Sequence, residues 1–175
     1  TIELDGAPYK VESYYQQKMQ QRAPVYHIKL RNLVTGQLLD RSFSGYGIKL
    51  NKAPVENRVV QYLYEDQGLY YFMDTENFDQ FPVDSNVVGD AVNYLVDQAE
   101  LEIVFWKESP VSLEMPVTVD LSVIETPPGY KGDTAAGGTK PAKMETGIMV
   151  NVPMFIGIGD KVKVDTRSGS YIERV

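Results

Sequence analysis

The chain has 175 residues, no cysteine, one histidine, one tryptophan and a formal net charge of −7. Without cysteine there is no disulfide framework and no thiolate metal site, which suits a reducing compartment such as the cytoplasm. No apolar run approaches the roughly 18 residues of a membrane span, and no basic-then-apolar signal segment opens the chain. Thr1 already falls in a strand-like stretch, so an upstream piece is expected to be missing.

The first elements read as strands over residues 7–15 and 25–33, a turn at 32–36, and a third strand over 38–43. Between the first two lies Gln16-Gln17-Lys18-Met19-Gln20-Gln21-Arg22-Ala23, a polar hairpin tip with almost nothing to bury. Strands follow at 59–64 and 69–73, joined by Glu65-Asp66-Gln67-Gly68 with glycine where positive φ is needed. Asp74-Thr75-Glu76-Asn77 turns into a strand over 78–83. Val87, Val88, Ala91, Val92 and Leu95 then recur at helical spacing, with Asp84 or Ser85 as N-cap and Gly89 as a weak point. Strands at 99–106 and 111–115 complete an order that resembles an OB-fold barrel.

In the last third, Val117, Val119, Leu121 and Val123 alternate with polar residues. So do Ile148, Val150 and Val152, and then Val162 and Val164. This predicts a second small barrel whose first two strands are joined by a glycine-rich loop. That loop contains Gly132-Asp133-Thr134-Ala135-Ala136-Gly137-Gly138-Thr139-Lys140. Its small residues leave the backbone free to approach a partner closely. The expected domains are residues 1–53, 54–117 and 118–175, each near the lower size limit for independent folding.

Charge divides the same way. Residues 1–53 carry eight Lys/Arg against four Asp/Glu (+4), residues 54–117 two against thirteen (−11), and residues 118–175 seven against seven (0). Phosphate contact therefore falls to the first and third regions, because counterion release depends on local cations.

Longer motifs accompany this pattern. Lys140-x-Ala142 is followed by Gly147, Val150-x-Val152-Pro153, Ile156 and Gly159. Arg31-Asn32-Leu33-x-Thr35-Gly36, Val60-Gln61-Tyr62-Leu63-Tyr64, Phe72-Met73-Asp74 and Val164-Asp165-Thr166-Arg167-x-Gly169-x-Tyr171 complete the set. In these motifs, in one order along the whole chain, the sequence resembles bacterial translation elongation factor P, a relative of archaeal and eukaryotic initiation factor five-A. The resemblance implies an all-β fold of three small barrels in an elongated, tRNA-like arrangement: an SH3-like KOW barrel plus two OB-folds. It implies a monomeric cytoplasmic factor, without cofactor or metal, that is not an enzyme. Such a factor binds the ribosome between the P and E sites, contacts peptidyl-tRNA and promotes peptide-bond formation at consecutive prolines.

The resemblance also assigns site residues. Lys18, Met19, Gln20, Gln21 and Arg22 form the loop that reaches the peptidyl-transferase centre. Lys131, Gly132, Asp133, Thr134, Gly137, Gly138, Thr139, Lys140 and Lys143 form the rRNA/tRNA-contact loop, in which backbone N–H groups make a shallow anion nest. Tyr171 and Arg174 match C-terminal ribosome contacts. The tip departs from familiar members, which read Lys-Pro-Gly-Lys-Gly or carry arginine there. Gap-free counting puts Gln21 at the tip column, so an unmodified tip is expected, against modification of Lys18 or Arg22.

The remaining chemistry reads as structural. His27 lacks a second ligand nearby in sequence, so a metal role is not expected. Asp74/Glu76 and Glu100/Glu102 are the pairs on which a hydrolase would rest, but they sit in an acidic, solvated context. Gly137-Gly138-Thr139-Lys140 has no helix after it, and so is not a nucleotide-binding P-loop. Tyr14-Tyr15 and Tyr70-Tyr71 are candidates to stack bases, though adjacent strand residues are expected to divide between core and surface. Alternatives to a translation factor are a general OB-fold RNA- or oligosaccharide-binding module, a hydrolase, and, within the family, an elongation-factor-P-like paralogue with shifted motif preference.

Overall fold

The structure is a computed structural model that describes residues 1–18, 22–129 and 137–175. These residues are almost entirely β and fall into two compact units. One comprises Thr1–Asn57 and Val104–Ser112, the other Arg58–Ile103 and Leu113–Val175.

In the first unit, β1 (Ile2–Leu4), β2 (Ala7–Gln17), β3 (Val25–Asn32) and β4 (Leu38–Ser44) form an antiparallel sheet in chain order. Asp5 and Gly6 both take positive φ between β1 and β2, as a two-residue Asp-Gly hairpin turn requires. Along β3, buried Ile28 and Leu30 alternate with exposed Lys29 and Arg31, which sets the core face. A second cluster buries Ala53, Val104, Trp106 and Val111 against Leu33 and Val55.

β5 (Val55–Asp66), β6 (Leu69–Asp74), β7 (Gln80–Asp84), β8 (Glu100–Trp106) and β9 (Ser109–Glu114) pair in the order β7-β6-β5-β8-β9. The expected helix after β7 is shorter than its periodicity indicated. Asp84 caps it by accepting from the Asn86 N–H, but α1 covers only Ser85–Val88. Gly89, at φ 52°, ends it, and a 3₁₀ turn runs over Gly89–Tyr94. Of the expected stripe, Val88 and Leu95 are buried while Val92 is exposed.

β10 (Thr118–Glu125), β11 (Thr139–Met144), β12 (Met149–Pro153), β13 (Lys161–Asp165) and β14 (Ser170–Arg174) form the sheet β12-β11-β10-β13-β14. Its inward residues include Leu121, Val123, Ala142, Met144, Val150, Val152, Val162 and Val164. Tyr94 belongs to this same core, although it lies on the 3₁₀ turn before β8. Beside it, Thr146 Oγ1 donates to the Asn93 carbonyl at 2.7 Å. Thr166 Oγ1 donates to the Pro116 carbonyl, also at 2.7 Å. β11 and β14 add two strands to those that the alternation predicts.

Candidate nucleic-acid interface

β2 and β3 stay paired from Tyr9↔Asn32 to Gln17↔Val25. Residues 12–17 are exposed, so this hairpin arm has little core beneath it. Side chains stiffen it instead. Gln16 Nε2 donates to the Tyr26 hydroxyl at 3.0 Å. The Tyr15 and His27 rings stack with centroids 4.6 Å apart and planes 12° from parallel. Ser42 Oγ lies 2.9 Å from His27 Nδ1, and Gln17 Oε1 lies 3.3 Å from Nε2. Tyr14 and Tyr15 are 72% and 63% exposed. They do not divide between core and surface: both rings stay exposed, although Tyr14 pairs opposite buried Ile28. Lys18 and Arg22 are exposed at its end; Met19, Gln20 and Gln21 lie outside the described residues.

The glycine-rich stretch differs from its expectation in one respect. Thr139, Lys140 and Lys143, read as loop, lie on β11. Strand alternation turns Lys140 inward with Ala142 and Met144, and it is 6% exposed. Burying an ammonium requires a partner, and Lys140 Nζ donates to the Pro127 carbonyl at 2.7 Å. Thr126 Oγ1 donates to the Pro141 carbonyl at 3.0 Å. Gly129 packs so close to the backbone at Met154 that a Cβ there would meet the Met154 carbonyl oxygen at 2.3 Å. These three contacts fix the segments on either side of residues 130–136. Lys131, Gly132, Asp133 and Thr134 lie outside the described residues.

Gly137, Gly138 and Thr139 border an apolar groove of about 340 Å³ with Pro153, Met154 and Phe155. Phe155 is 66% exposed, and the Arg174 guanidinium sits over its ring at 5.6 Å, a cation–π contact. Two places separated by 35 residues of sequence therefore share one patch. Phe155 and its exposed neighbour Ile158 went unread, although large apolar residues interleaved with Gly157 and Gly159 are their signal. Tyr171, paired opposite Val164, packs half-buried on the barrel core. Lys143 is half-buried.

Electrostatics near the C-terminus are local. Asp165 Oδ1 accepts from the backbone N–H groups of Arg167 and Ser168, and Oδ2 from the Arg167 guanidinium at 3.1 Å. Arg167 and these backbone donors hold the Asp165 carboxyl below the usual aspartate range. Elsewhere, Asp74 is buried and used by its own turn, where Oδ1 accepts from Glu76 and Asn77. Among the described residues, no cluster of three His, Asp or Glu is placed to hold a metal. No helix among them is long and apolar enough to cross a membrane.

Comparison with known proteins matches the chain piece by piece. The elongation factor P KOW-like domain matches residues 1–46, the elongation factor P OB domain 55–113, and the "Elongation factor P, C-terminal" domain 119–174. Elongation factor P of Carboxydothermus hydrogenoformans is 47% identical over 100% of this chain and 94% of its own length. The chain belongs to the elongation factor P family. Elongation factor P of Thermodesulfovibrio yellowstonii is 44% identical over 99% of the chain and 92% of its own length. Among solved structures, eukaryotic translation initiation factor 5A from Methanococcus jannaschii aligns with a TM-score of 0.48 at 12% identity. That alignment covers 63% of this chain and 78% of the other. Membership of the elongation factor P family makes this a translation elongation factor, built from KOW-like and OB domains.

Proposed function

We propose that this protein binds the ribosome between the P and E sites, contacts peptidyl-tRNA and promotes peptide-bond formation at consecutive prolines. It acts in the cytoplasm as a monomer and carries out no bond chemistry of its own. Family membership along the full chain carries this reading. The proline ring fixes φ and restricts approach geometry. A factor that holds the tRNA end in a reactive position lowers the barrier through positioning alone. The narrow, exposed arm ending in Lys18 and Arg22 suits a probe into a confined site. Gly137, Gly138 and Arg174 on one patch suit contact with RNA by bare backbone and a cation, together with Lys131, Lys143 and the glycines of the stretch. Lys140, with its ammonium on Pro127, holds that stretch in place.

The deciding experiment is in vitro translation of a three-proline reporter with and without the protein. Relief of stalling is expected. Unchanged stalling, where a standard factor relieves it, overturns the reading. RNA co-sedimentation without relief would mark a general binding module, and turnover lost on Asp74 or Glu100 substitution would mark a hydrolase. The glutamine-rich tip favours one second reading, a paralogue with shifted motif preference; relief at other motifs but not at prolines would identify it. Peptide mass spectrometry across residues 18–22 is expected to find no added mass.

A further inference from the structure

The outer face of the arm carries a constellation that the function above does not use. Ser13 and Tyr15 on β2, His27 and Lys29 on β3, and Asp40 and Ser42 on β4 share this face, opposite the Ile28 and Leu30 core. With Arg41 they border a polar cleft of about 380 Å³, at the small end of the roughly 300–1,000 Å³ of ligand sites. His27 covers one face of the Tyr15 ring, and the 63% exposure of Tyr15 leaves the other face to solvent. Ser42 and Gln17 hold both nitrogens of His27, so the stacked pair is set in place before any ligand arrives.

We propose that the Tyr15–His27 pair is a stacking platform for one unpaired nucleobase of an RNA strand, preferably a purine. The proposal rests on RNA being the partner in the reading above. An aromatic face accepts any base, and a larger ring covers more of it. Lys29, the cation on this face, supplies a phosphate contact. Asp40 repels a phosphate but accepts from an exocyclic amine or a 2′-hydroxyl, so it orients the nucleotide with its sugar or base edge inward. The +4 charge of residues 1–53 favours an anionic partner, and the exposed ring favours RNA over an acidic protein.

The test titrates the full chain with hexaadenylate, hexauridylate and a duplex of equal phosphate count, following the tyrosine and histidine ring resonances by NMR. The Tyr15 and His27 rings should shift upfield with hexaadenylate, less with hexauridylate, and not with the duplex. Tyr15→Leu keeps an apolar neighbour for His27 and should weaken hexaadenylate binding about tenfold. Tyr15→Phe and Tyr46→Ala should leave it within about twofold. Rings that stay still at saturation, equal binding by Tyr15→Leu, or the same shifts with the duplex overturn the platform. If stalling is relieved while the rings never move, the platform fails and the functional reading stands. If the rings move and stalling persists, the reverse holds.

Discussion

The ammonium of Lys140 donates to the carbonyl of Pro127 at 2.7 Å, which ties together the two ends of the glycine-rich stretch. A lysine that resembles a phosphate ligand in sequence is thus a strut. Lys140→Met keeps the stem's apolar contacts and loses one charge-assisted bond to a carbonyl near the surface. The expected cost is about 1.5–3 kcal/mol, or roughly 3–12 °C in melting temperature for a chain of this size. The salt slope of RNA binding should not change, whereas loss of a lysine that meets phosphate lowers it by about one. Calorimetry and a salt titration read the two effects separately.

Gly129 offers a sharper test of the same stem. An added Cβ meets the Met154 carbonyl oxygen at 2.3 Å, and both partners are backbone. Gly129→Ala should therefore force the two segments apart and destabilise by about 1–3 kcal/mol, the usual range for overpacking. Gly137→Ala has open space around it but a φ of 63°, so its cost should be closer to about 1 kcal/mol. Equal melting temperatures for the two variants would contradict the close approach.

The turn after β13 should respond to acid. Asp165 has its carboxyl held low by Arg167 and two backbone donors. Its contribution is therefore present above the ordinary aspartate range and is lost as pH falls through the lowered value. A carboxyl-detected NMR titration should find Asp165 ionised below the pH at which an unpartnered aspartate protonates. In Arg167→Ala its titration should move upward, since the guanidinium is the first cause of the depression. An unmoved midpoint would leave the effect to the backbone donors alone.

Tyr94 reaches the C-terminal core from outside the C-terminal sequence, and its hydroxyl lies 3.4 Å from the position of a Cβ on Gly169. Tyr94→Ala leaves a ring-sized cavity among Leu121, Val152 and their neighbours, at an expected cost of about 3–5 kcal/mol. Tyr94→Phe should cost far less. Urea unfolding of both variants, with Trp106 fluorescence and far-ultraviolet dichroism as probes, reads the difference.

Strand alternation made most of this fold legible, because Val119–Leu121–Val123 and Val162–Val164 each announce an inward face. Three things escaped it. The helical stripe ended early because Gly89 adopts positive φ, which periodicity does not record. β11 hid inside a stretch of Lys, Pro, Ala and Thr whose strand character comes from pairing with β12 rather than from propensity. The partners of Tyr94 and Phe155 are tertiary, and no local spacing encodes them. At the candidate site, Arg174 is named by the resemblance alone, and nothing in the local spacing places the Phe155 ring beneath it.

The Tyr94 contact also bears on how the protein can be divided. Sequence matching separates residues 55–113 from 119–174, yet a side chain of the former fills the interior of the latter. A fragment starting at Thr118 would inherit an empty socket where that ring belongs, together with an unmet hydroxyl on Thr146. Grafting the last module onto another body would require carrying the Asn93–Tyr94 turn with it. The inheritable unit at this end of the molecule is thus larger than the module its sequence outlines.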